Sequence, residues 1–78
     1  MKTMTCKELG GACDIKFQAE TFGQMTEISM QHGIEMMQSN DEAHLKAIQN
    51  MKEIMQNPVT MNQWFVERQA EFDALEED

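Results

Sequence analysis

Apolar and polar residues alternate strictly along Asp14-Ile15-Lys16-Phe17-Gln18-Ala19-Glu20, which places Ile15, Phe17 and Ala19 on one face. A period of two predicts a half-buried strand. A second short run over residues 2–6 precedes it, and the Gly10-Gly11 pair between the two predicts a hairpin. The loop is longer than the tightest two-residue turn, with a bulge at Gly10 or Gly11. A hairpin over residues 1–20 is marginal by itself in water, so its apolar face requires a cover.

From Thr21 onward the period changes. Thr21 is a good N-cap with Gln24 three residues later as capping-box partner, and a helix is predicted over 21–38. Phe22, Met25, Ile28, His32 and Met36 recur at spacings of three and four, giving one stripe to lay on the hairpin. Met30, Ile34 and Met37 lie beside that stripe and offer a second apolar surface. Gly33 weakens the helix by about 1 kcal/mol relative to Ala and marks a bend or an end near His32. Ser39-Asn40-Asp41-Glu42 is a break with acidic start signals. A second helix over 41–56 then carries Leu45, Ile48, Met51, Ile54 and Met55 inward. Asn57-Pro58 stops it and opens a third helix over 58–76, with Pro58 at the first position, where its missing N–H costs nothing. Met61, Trp64, Phe65, Arg68, Phe72 and Leu75 form the stripe of that helix. The pattern therefore predicts one α+β domain over 1–78, an N-terminal two-stranded β-hairpin packed on three α-helices.

Length makes the core thin. A chain of 78 residues buries roughly 60% of its unfolded surface, which raises the value of a metal, a disulfide or a partner subunit. A formal charge of −8, from 14 acids against 6 scattered bases, argues against nucleic acid and against an anionic membrane surface. No run reaches the roughly 20 apolar residues of a membrane span, and the first residues lack the apolar stretch of a signal peptide. The expected setting is the cytoplasm of a bacterial-type cell, where a permanent disulfide is disfavoured.

Reactive chemistry is concentrated in Cys6 and Cys13, at the shoulders of the hairpin loop. Such thiols can bind a soft metal, pair as a disulfide, or be buried as small apolar groups. A zinc-type site forms if the first helix brings His32 to the mouth of the hairpin beside Cys6 and Cys13. A fourth ligand then comes from water, Asp14, His44 or a methionine. The gap between the cysteines exceeds that of common zinc knuckles, and His44 reads as a solvated residue near the start of the second helix. Nine methionines permit Cu(I) without selecting it, and their helical spacing reads as core. No orienting group or oxyanion donor can be placed beside a Cys–His pair, so no enzyme is expected. The alternative to metal binding is an interaction module, in which Met61, Trp64, Phe65 and Phe72 on the last helix bind a protein partner or make a homodimer.

The stretch Met1-Lys2-Thr3-Met4-Thr5-Cys6-Lys7-Glu8-Leu9-Gly10-Gly11-Ala12-Cys13-Asp14, followed by Ala19-Glu20-Thr21 and then His32, resembles the bacterial family called domain of unknown function 1059. Its members are described as predicted small metal-binding proteins. The likeness covers roughly the first half of the chain and implies Cys6, Cys13 and His32 as metal positions. Family members often carry a second histidine about one turn beyond the first, and the corresponding position in this chain is Met37.

Overall fold

Alternation does produce the hairpin. In the computed structural model, which describes residues 1–78, β1 (Lys2–Thr5) pairs antiparallel with β2 (Lys16–Ala19) in the register Lys2 with Ala19 and Met4 with Phe17. Met4, Phe17 and Ala19 are buried on the inner face, while Lys16 and Gln18 are exposed on the other. Ile15 departs from the expected pattern: it precedes β2 and stays 48% exposed, because the buried core takes in only Phe17 and Ala19 from this run. Its carbonyl still continues the ladder by accepting from the Cys6 amide at 2.9 Å.

The three helices are α1 (Phe22–Gln38), α2 (Glu42–Gln56) and α3 (Pro58–Ala74). Thr21 caps α1 by accepting from the Gln24 amide at 3.1 Å, and the Gln24 side chain accepts from Glu20. The helix runs without interruption through Gly33, so the expected bend is absent; the helical backbone tolerates an isolated glycine at a modest cost. It ends in a Schellman motif. Asn40 adopts φ 58°, its amide donates to the Met37 carbonyl, and the Asp41 amide donates to that of Met36. Asn57 caps α3 by accepting from Val59, and α3 stops two residues short of the expected 76, with Leu75 already extended.

α1 packs on β2, α2 on α1 and α3 on α2. The core lies between hairpin and helices and consists of Met4, Cys6, Leu9, Phe17, Ala19, Phe22, Met25 and Phe72. Phe22 and Phe72 meet with ring centroids 5.8 Å apart, which ties the end of α3 to the start of α1. Lys2 adds to this joint by donating to the Phe72 carbonyl at 3.1 Å and covering the Phe72 ring. Phe72 is therefore core and is not available to an external partner. Glu77 and Asp78 return to β1, where Glu77 meets the Met1 amino group at 2.8 Å and Asp78 accepts from Thr3. Of the methionines expected in the core, Met25 is fully buried, whereas Met36, Met51 and Met55 are only half-buried. No helix is long and apolar enough to cross a membrane.

Candidate metal centre

The loop that carries both cysteines is built by its own polar residues. A short 3-10 turn over Lys7–Leu9 is held by a reciprocal pair: the Thr5 amide donates to Glu8 Oε1 at 2.8 Å and the Glu8 amide to Thr5 Oγ1 at 3.1 Å. That is the capping-box arrangement in miniature. Gly10 then takes φ 92°, a left-handed conformation that glycine adopts without strain. At Gly11 a Cβ would overlap Cys6 Sγ, so the absence of a side chain lets the thiol lie inside the loop. Cys6 is buried in consequence, and Cys13 follows on the opposite shoulder, with its carbonyl accepting from the Lys7 amide at 3.0 Å.

Two imidazoles close on this pair of thiols. His32 arrives from the middle of α1 with Nε2 3.3 Å from Cys13 Sγ, and its ring meets Phe17 edge to face. His44 arrives from the first turn of α2 with Nε2 3.6 Å from Cys6 Sγ. The two rings are 5.2 Å apart, and the four donor atoms all lie within 4.8 Å of one another. Cys6, Cys13 and His32 lie at one location, as the sequence suggested, and of the candidates for a fourth ligand His44 is the one that joins them; only the reading of His44 as solvated is overturned. Far from solvated, His44 is 5% exposed. A signal was available: Asp41 caps α2, and a histidine three residues into a helix lies within reach of the capping carboxylate. Met37, by contrast, is exposed and outside the cluster, as is Asp14.

Asp41 orients His44. One carboxylate oxygen, Oδ2, accepts from both the His44 backbone amide at 3.0 Å and ring Nδ1 at 2.6 Å. A carboxylate accepts only, so Nδ1 carries the proton and Nε2 is the atom left to face the thiols. The same bond holds the Asp41 carboxyl below its ordinary range and raises the His44 imidazole above 6.5, against the opposing effect of burial. Burial pushes the Cys6 thiol up, although the amides of Cys13 and Ala12 favour its thiolate. Burial acts the same way on Cys13, but there the Ile15 amide and the neighbouring His44 and Cys6 side chains outweigh it and lower the pKa. The cluster therefore reaches two soft sulfurs and two borderline nitrogens, one sulfur already biased toward thiolate.

Two edges of the cluster match those of a tetrahedral ion. Zinc takes sulfur at ~2.3 Å and imidazole nitrogen at ~2.0–2.1 Å, so the edges of its ligand tetrahedron measure about 3.3–3.8 Å. The Cys13–His32 and Cys6–His44 edges, at 3.3 and 3.6 Å, already fall there. Cys6 and Cys13 are both free thiols.

Asp41→Asn keeps a good cap while removing the charge that orients His44. In metal-free protein the His44 ring should titrate closer to its ordinary value in this variant, as followed by its NMR signals. A folded-state pKa above 6.5 means that the pair contributes stability fully below about pH 6.5 and loses it as pH rises through the raised value. Asp41→Asn should then destabilise the metal-free protein more at about pH 6 than at about pH 8, and should weaken metal binding about 10- to 100-fold. An equal cost at both pH values would show that Asp41 acts on the helix end alone.

Comparison of the chain with protein-family models, with characterised proteins and with solved structures finds no match.

Proposed function

We propose that this chain is a small, non-catalytic metal-binding protein that holds one zinc-like ion through Cys6, Cys13, His32 and His44. The observation that carries the reading is the convergence of four donor atoms, from one loop and two helices, within 4.8 Å. Four protein ligands complete the tetrahedron and leave no open position for a substrate or an activated water, which is the pattern of a structural site. Two thiolates with two imidazoles suit zinc and tolerate copper, so donor chemistry favours zinc and availability decides the rest. The Asp41–His44 pair supplies the outer hydrogen bond that ligating histidines almost always make. A reducing compartment suits free thiols of this kind.

The reading also accounts for the likeness to domain of unknown function 1059. We take the chain as a divergent relative in which Met37 stands where a second histidine is common and α2 contributes the second imidazole instead.

The test is elemental analysis of protein purified without chelator or a polyhistidine tag, followed by titration of reduced, stripped protein with zinc. One equivalent of metal is expected, with chemical-shift changes at both cysteines and both histidines and release of thiol protons. Cobalt substitution should give the ligand-field bands of a tetrahedral thiolate site. Absence of shifts at these four residues under excess zinc would dismiss the reading.

A further inference from the structure

The helices leave one face of the molecule open. Between α1, α2 and α3 runs an apolar groove of about 460 Å³, with Met30, Ile34 and Met37 on the α1 side, Met51 on α2, and Trp64 and Phe65 on α3. Met30 is 67% exposed, and Ile34, Met37 and Phe65 are each about 40% exposed. The α1 residues were expected to offer a second apolar surface, and Trp64 and Phe65 to face a partner; α3 packs on α2 and leaves the groove between them and α1 unfilled.

We infer that a second copy of this chain covers the groove, forming a two-fold symmetric dimer through the α1 and α3 rims. Size is the first argument. The chain exposes 5324 Å², whereas a folded monomer of its mass exposes about 4,850 Å². The excess over the whole chain, roughly 500 Å², is of the same order as the about 600–1,000 Å² that each partner contributes to a stable interface.

Charge completes the case. A chain with 14 acids meets repulsion from its own copy unless the contact face is clear of them. None of the groove-lining residues is acidic, and Lys52 is the only lysine or arginine among them. In an isologous contact the flexible methionines of each rim enter the groove of the other, the adaptable packing that thioethers allow. This face differs from the one read along the sequence, because Phe72 belongs to the core, whereas Trp64 and Phe65 remain. Cys6 and His44 also line the groove, but the inference rests on its apolar rims and not on a bound metal.

Sedimentation equilibrium of the full chain under reducing conditions tests it, with a dimer expected below ~100 µM. Met30→Glu and Phe65→Glu, one on each rim, should each raise the dissociation constant at least about tenfold while leaving the circular dichroism of the fold intact. For the wild-type chain, ¹³C-methyl spectra of the methionines should shift on dilution at Met30, Met37, Met51 and Met55 and stay constant at Met1 and Met4. This readout decides the matter even if a variant fails to fold. A monomer persisting to ~1 mM overturns the inference, as does a dimer whose dilution shifts fall outside the groove. A monomer in which octanoate moves the groove methyls overturns it in favour of a small amphipathic ligand.

Discussion

Zinc at a thousandfold excess over its dissociation constant is expected to stabilise the reduced protein by about 4 kcal/mol. For a domain of this length that moves the melting temperature up by about 15–30 °C. Such a gain follows from candidate ligands that converge only in the folded chain: Cys6 and Cys13 come from the loop, His32 from α1 and His44 from α2. His44→Ala should remove most of it. If affinity falls about 100-fold, the same zinc concentration stabilises by only about 1.4 kcal/mol. Replacing Cys6, Cys13 or His32 should be comparably damaging, whereas Asp14→Asn, beside Cys13 but exposed and outside the cluster, should leave the zinc-dependent shift intact. Differential scanning calorimetry with zinc and with chelator separates these outcomes. An unchanged zinc response in His44→Ala would remove α2 from the site.

Phe72→Ala should be the most damaging single change to the metal-free fold, costing about 3–5 kcal/mol in urea unfolding. A chain of 78 residues has about 4–12 kcal/mol of stability in all, so a large fraction is at stake. The reason is position. Phe72 is 4% exposed, meets the Phe22 ring at a tilt and lies under Lys2, and it is the only buried residue that α3 contributes to the hairpin core. Truncation leaves a cavity at the joint between the two ends of the chain. Phe72→Leu, which keeps most of the volume, should cost far less. Since no metal ligand lies on α3, zinc should still stabilise Phe72→Ala by an increment close to that of the parent protein. A cost below about 1 kcal/mol would mean that α3 can leave the hairpin without consequence.

How much of this was legible along the chain follows from which forces are local. Strand alternation placed Phe17 and Ala19 inside, and Thr21, the acidic break Ser39-Asn40-Asp41-Glu42 and Asn57-Pro58 marked the helix starts, because backbone hydrogen bonding and side-chain caps act over a few residues. Cys6, Cys13 and His32 were readable as one candidate site, since the hairpin and the helix following it are neighbours in sequence. Ile15, Gly33 and the end of α3 were read less well, as each depends on where cover by another element begins or ceases.

The burial of His44 and of Phe72 lay beyond local reasoning, although His44 was among the fourth-ligand candidates and the Asp41 cap was a local signal for its orientation. Whether a residue on α2 or α3 faces the hairpin depends on how the later helices cross α1, and that is set by long-range packing among half-apolar faces that fit more than one arrangement. The sequence by itself determined the elements and the caps Thr21 and Asn57, and it named Cys6, Cys13 and His32 as one candidate cluster. Only the tertiary structure decided that α2 turns His44 into the cysteine loop, that α3 spends Phe72 on the core, and that the methionine-lined groove between the helices stays open, because burial is a property of the assembled surfaces and not of any one segment.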